Sequence, residues 1–195
     1  KTSMTLSLKP NLYWHDGTPV SAKDVVFTIE AMKEPKTLSS EAGRVEWIKS
    51  ARALSDQEVE LSFEQPEIRP EDKLFFKILP SHAFDSTTIR RGDEFRTNPT
   101  GTGPYKLISY NDDNSITFGR HMDYRSPVGI PELVMREVSD KNYQAKLVGY
   151  QSLEALIRVL PRDLAVLQNN RRVELYPYQT NSWWYTGFNL SRPPF

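Results

Sequence analysis

The stretch Leu12-Tyr13-Trp14-His15-Asp16-Gly17-Thr18-Pro19-Val20-Ser21-Ala22-Lys23-Asp24-Val25-Val26-Phe27 sets the organisation of the chain. Asp16-Gly17 and Thr18-Pro19 are turn chemistry, because Gly accepts a positive φ and Pro fixes its own. A helix is expected directly afterwards. Ser21 and Asp24 have the capping spacing, in which the Ser hydroxyl accepts an orphan backbone N–H and the carboxylate reaches back to the cap. Val25, Ile29 and Met32 then recur at i, i+4 and i+7, one apolar stripe that must face a core. Upstream, Met4-Thr5-Leu6-Ser7-Leu8 alternates apolar and polar with period two, so a half-buried strand over 4–8 leads into the turn.

Working downstream, Val59-Glu60-Leu61-Ser62-Phe63 alternates after the Ser55-Asp56 turn signal and predicts a second strand. Residues 65–73 are Pro-punctuated and charged, a loop into Leu74-Phe75-Phe76 and Ile78-Leu79. The chain is polar and turn-prone from 84 to 100, and a subdivision is placed near Asn98-Pro99. Tyr105-Lys106-Leu107-Ile108 and Ile116-Thr117-Phe118 flank Asn111-Asp112-Asp113-Asn114, which predicts a hairpin. Leu133 to Val138 is a further strand candidate. Asp140 is positioned to cap a helix over 142–149, a second helical stretch is expected from Ser152 to Leu160, and Pro161 suits the first position of a short helix Arg162–Gln168. Val173 to Tyr176 returns to strand. The fold class is therefore mixed α/β, a mixed β-sheet with flanking helices.

Composition bounds what such a fold does. The 195 residues carry 25 basic and 25 acidic side chains, 38% hydrophobic residues, 14 Pro, 9 Gly and no Cys. That is one domain or one lobe of something larger, with enough apolar surface for a core. A zero net balance argues against a nucleic-acid partner and against an anionic membrane surface, both of which need a clustered cationic excess. The lack of Cys removes disulfides, thiolate metal sites and a cysteine nucleophile together. No run approaches the roughly 18 apolar residues of a membrane span. The sequence opens on Lys1 without an initiator Met or a basic-then-apolar leader, and an upstream segment is expected to have been removed.

Catalytic motifs are sparse. His15, His82 and His121 lie far apart, and none has a metal-ligating partner at helical spacing, so neither a metal nor a cofactor is expected. His15-Asp16 beside a turn has no Gly-x-Ser-x-Gly elbow with it, which favours the pair as turn residues, and no enzyme is expected. Gly101-Thr102-Gly103 lacks the third Gly of a dinucleotide loop and the Gly-Lys-Ser/Thr of a P-loop. Gly-x-Gly-Pro ahead of a strand instead asks for positive φ or close chain approach at one or both glycines. Trp183, Trp184 and Tyr185 differ in kind. In a strand, Trp183 and Tyr185 point to one face and Trp184 to the other, so one face covers the core and the face left over offers aromatic surface to a ligand or partner.

These pieces resemble a known family. Leu12 to Phe27 is similar across sixteen positions to the pattern "v-k-W-H-D-G-t-P-v-t-A-x-D-V-v-f" of the family 5 extracytoplasmic solute-binding proteins of ABC importers, the oligopeptide, dipeptide and nickel-binding group. Gly101-Thr102-Gly103-Pro104-Tyr105-Lys106-Leu107 resembles the family's "G-T-G-P-Y-k-l". Gly187-Phe188-Asn189 with Pro193-Pro194-Phe195 resembles its "g-f-N-x-x-x-p-P-f". Arg136-Glu137-Val138 through Leu167 is similar to "r-e-i-p-d-x-x-x-x-x-a-L-x-x-G-e-v-D", except that Gly149-Tyr150-Gln151-Ser152 loses both acidic positions of its end.

The resemblance implies a type II lobe of periplasmic-binding-protein-like fold. Residues 1–195 would be part of lobe I of a two-lobed protein, with subregions 1–98 and 99–195 and the second lobe absent. It implies capture of a small solute, most naturally a peptide, between lobes and delivery to an ABC permease. The protein would be a monomer without nucleic acid, periplasmic or extracytoplasmic, with lipid anchoring open through a segment outside this sequence. Trp183, Trp184, Tyr185, Asn189 and Tyr105 would be ligand-facing, while Trp14, His15, Asp16, Gly17, Asp24, Gly101, Gly103 and Pro104 would be structural. The alternative reading is the same fold reused as a sensory or protein-interaction module.

Overall fold

The computed structural model describes residues 1–150 and 153–179. The chain divides into two compact units, 1–137 and 138–195. The subdivision expected near Asn98-Pro99 thus lies inside the first unit.

In the first unit, β1 (Ser3–Ser7), β2 (Ile48–Ala53) and β3 (Glu58–Phe63) form an antiparallel sheet of order β1-β3-β2. β3 sits centrally because its alternation is complete: Val59, Leu61 and Phe63 are buried and pair across with Leu6, Met4 and Thr2-side backbone of the β1 edge. Helix α1 (Ala22–Lys33) lies on this sheet. The stripe read from the sequence is the face it buries: Ala22, Val25, Ile29 and Met32 pack with Val45, Ile48, Val59, Leu61 and Phe63 in one core. The Ser21 backbone N–H donates to Asp24 Oδ2 at 2.8 Å, the reach-back half of a capping box. Lys33 closes the far end, its ammonium donating to the Ile48 carbonyl. The irregular segment after β3 adds Leu74, Phe76 and Ile78 to the core edge and turns Phe75 outward.

The sequence gives no sign of β2, and the register shows why. A bulge between Ile48 and Ser50 moves the inward positions from Ile48 to Ala51, a spacing of three that breaks the period-two signature.

The second sheet of this unit, order β4-β5-β6, is built from β4 (Tyr105–Tyr110), β5 (Ser115–Arg120) and β6 (Glu132–Arg136), again antiparallel. The expected hairpin forms the β4-β5 pair. Its turn closes through Asn111, whose N–H donates to the Ser115 carbonyl at 2.8 Å, with Asn114 left-handed at φ 58°.

The second unit holds α2 (Lys141–Gly149), capped by Asp140 Oδ1 accepting from the Asn142 N–H at 2.8 Å. A 3₁₀ turn Pro161–Asp163 runs into the short α3 (Leu164–Gln168), so the Pro161 start is found one turn tighter than expected. Two expectations are corrected. Residues 153–160 are irregular and not helical, and 173–176 form no strand. In the first case Ile157 is exposed and Leu153, Leu156, Val159 and Leu160 are only half-buried, so no fully buried apolar stripe holds a helical turn there. In the second, the alternation at Val173 and Leu175 meets no neighbouring strand among the described residues to pair with its backbone. No helix among the described residues is long and apolar enough to cross a membrane.

Candidate functional site

The motif residues converge in the first unit, and Asp24 is the node. It is 2% exposed on the first turn of α1. Oδ2 accepts from the Ser21 N–H at 2.8 Å and from Trp14 Nε1 at 3.2 Å, and Oδ1 accepts from the Ser81 N–H at 2.8 Å and from the Ser81 hydroxyl at 2.6 Å. Four donors and the positive end of a helix stabilise a buried carboxylate without a cation. One turn on, Thr28 donates to the Asp24 carbonyl at 2.6 Å and accepts from the Leu79 N–H at 2.8 Å. Trp14 is 1% exposed, so the indole is both core and tether.

Residues 12–20 fold back on themselves, with Trp14 N–H to the Thr18 carbonyl at 2.8 Å and Val20 N–H to the Leu12 carbonyl at 2.9 Å. Gly17 turns the corner at φ +85°, a conformation costly for any residue with a Cβ. Asp16 accepts from the Thr18 N–H at 2.9 Å and sits 2.8 Å from His82 Nε2. The partner of Asp16 is thus His82, not its neighbour His15. Desolvation, the largest single influence, opposes ionisation of Asp16, but the hydrogen bonds from His82 and Thr18 together outweigh it and hold the carboxyl below its ordinary value.

His15 turns the other way and holds the Gly101–Gly103 loop. Its Nε2 lies 3.0 Å from the Gly103 carbonyl, its Nδ1 accepts from the Gly101 N–H at 3.2 Å, and its backbone N–H donates to the Gly101 carbonyl at 2.9 Å. A ring that accepts at Nδ1 and donates from Nε2 is neutral. Burial depresses its pKa first, the Gly103 carbonyl works against that, and the nearby His121 and Lys106 push it down further. Of the two possibilities for the glycines, close approach is realised: a Cβ on Gly101 would come within 3.3 Å of His15 Cε1, whereas neither Gly101 nor Gly103 has a positive φ. The N–H of His121 donates to the Pro104 carbonyl at 2.8 Å, and its ring meets His15 edge-on at 5.0 Å between centroids.

Tyr105 is half-buried on β4 and its phenol donates to the Ile130 carbonyl at 3.0 Å. Trp183, Trp184, Tyr185 and Asn189 lie outside the described residues. Sequence reasoning missed Ser81, Thr28, His82 and His121 as members of this network. Sixty-six residues separate His82 from Asp16, and no local spacing encodes such a pairing; the Pro80-Ser81-His82 punctuation after an apolar run was the available signal.

Chemically, these groups are engaged with one another. Asp24 is saturated, both nitrogens of His15 face main chain, and no group of three or more His, Cys, Asp or Glu among the described residues could hold a metal. The arrangement fastens loops to a sheet-and-helix frame, and the solved structures that share this fold are periplasmic-binding-protein-like, type II. NikZ from Campylobacter jejuni, solved with Ni(L-His), superposes with a TM-score of 0.77 at 29% identity over 87% of this chain and 34% of that one. The oligopeptide-binding protein AppA from Bacillus subtilis, solved with a nonapeptide, shares the fold with a TM-score of 0.77 at 19% identity, over 87% of this chain and 35% of that one. The chain belongs to the bacterial extracellular solute-binding proteins, family 5, whose model "family 5 Middle" matches residues 1–195. The glutathione-binding protein GsiB of Escherichia coli K12 is 24% identical over 198 residues, covering 98% of this chain. The chain spans 38% of that relative's length.

Proposed function

We propose that this chain is part of lobe I of the substrate-binding component of an ABC-type importer, which takes a peptide or similar small solute into an interlobe cleft and delivers it to a membrane permease. The observation that carries this reading is the family match across residues 1–195. Relatives described as binding glutathione, Ni(L-His) and a nonapeptide agree with a small polar or peptidic ligand. Binding would act by preferring the closed arrangement of two lobes, since a ligand shifts such an equilibrium only through its differential affinity for the two states. In this reading Trp183, Trp184, Tyr185, Asn189 and Tyr105 face the ligand, and Trp14, His15, Asp16, Gly17, Asp24, Gly101, Gly103 and Pro104 hold the frame. The saturated hydrogen bonding of Asp24 and His15 supports the second group. The protein acts as a monomer outside the cytoplasm, without chemistry and without nucleic acid.

Native mass spectrometry of the gene product that carries this chain tests the reading. A retained small solute, released more than tenfold faster when Trp183, Trp184 and Tyr185 are each replaced by Ala, is the expected result. Absence of any retained solute, together with no binding of peptides, glutathione or a nickel-histidine chelate, overturns it. Isothermal titration of the 195-residue chain alone with peptide should show no binding of micromolar strength, because one lobe supplies only one wall of the cleft.

A further inference from the structure

Within the first unit, the loop after β1, strand β4 and the segment after β5 enclose an open cavity of about 1000 Å³. Its wall carries Lys9, Lys106 and Arg125 against a single carboxylate, Asp123. None of the three cations makes an ion pair among the described residues, and the Arg125 guanidinium rests only over the Tyr124 ring, 5.3 Å from its centroid. Three cations facing one anion leave a surplus of two positive charges at one concave place in a chain whose overall balance is zero.

We propose that this cavity is a binding site for a small polycarboxylate. Concavity focuses the field of like charges, and uncommitted ammonium and guanidinium groups at several points of the wall suit a ligand with carboxylates at more than one end. His15 cannot supply the contacts, because both of its ring nitrogens face Gly101 and Gly103. Lys9, Lys106 and Arg125 must do so. His121 lines the same wall at 7% exposure, but its Nδ1 is buried and not open to a ligand there.

The test is a titration of the ¹⁵N-labelled gene product that carries this chain with citrate, with inorganic phosphate and uncharged triethyl citrate as separate arms. Citrate should saturate, shift amides at 9–17, 106 and 121–125, and weaken with added salt. The Lys106→Ala/Arg125→Ala double variant should bind citrate at least tenfold more weakly, with an unchanged thermal transition. Citrate shifts elsewhere, no saturation in the millimolar range, or equal response to triethyl citrate overturns the site. Phosphate binding as tight as citrate overturns the polycarboxylate class. Should the double variant fail to fold, the wild-type comparison of citrate with its uncharged ester still decides.

Discussion

The two three-stranded sheets of the first unit have the same antiparallel pairing, yet their apolar residues are buried to different depths. In β1-β3-β2, Ile48, Val59 and Leu61 are fully buried because α1 covers the inner face. In β4-β5-β6, Ile108, Tyr110, Val134 and Met135 are exposed, Val134 at 53%, and the buried residue of the strands is the polar Ser115. The alternation of β4 is as regular as that of β3. Periodicity therefore announces a strand and its two faces, while burial is decided by whether a second layer exists to receive one face. The first sheet has its layer within this stretch of chain.

That contrast is open to direct attack, and Asp24 is its most sensitive point. Asp24→Ala strands four donors, among them the Trp14 indole and both Ser81 groups, and it frees the start of α1 from the turn that precedes it. Urea denaturation should show a loss of about 3–5 kcal/mol, a large share of the roughly 5–15 kcal/mol of an ordinary domain. A loss below about 1 kcal/mol would mean that these bonds are replaced by water at little cost. The sheets themselves are compared by Leu61→Ala and Val134→Ala. Leu61→Ala should cost about 3 kcal/mol through transfer and cavity terms, and Val134→Ala about 0.5 kcal/mol or less. Equal losses from the two would show that the β4-β5-β6 face is covered after all.

How much of this was legible beforehand follows from the same physics. β1, α1, β3, the β4-β5 hairpin and α2 were readable because caps, turns and periodicity are encoded within a few residues of each element. β2 was not, since its bulge replaces a spacing of two by one of three. The helix expected over Ser152–Leu160 and the strand over 173–176 fail because both patterns presuppose a packing partner that the described residues do not supply. At the candidate site, the Ser21-Asp24 cap was local and therefore visible. The Asp16–His82 and His15–Gly103 contacts join residues 66 and 88 positions apart, and only the folded chain brings them together.

The smallest expected effect lies at the junction of the two sheets, where His15 belongs to the turn before α1 and grips the loop before β4. Its folded pKa is lowered from an ordinary value of 6.5, with burial the largest cause. The unfolded chain therefore takes up the proton more readily than the folded one, so the contribution of His15 is fully present above pH 6.5 and declines as pH falls toward the lower folded value. A proton on Nδ1 would face the Gly101 N–H that now donates to it, beside His121 and Lys106, with Asp16 the nearby counter-charge. Asp16 stays ionised in this window because its own pKa is held below 3.8. Amide exchange, corrected for its intrinsic pH dependence, should accelerate about two- to fivefold at 101–108 between pH 7.5 and 5.5, and hardly at 59–63. His15→Gln should remove that difference, since an amide has no proton to gain. Equal acceleration in both sheets would assign the pH response to global unfolding and leave His15 without a separate role at the junction.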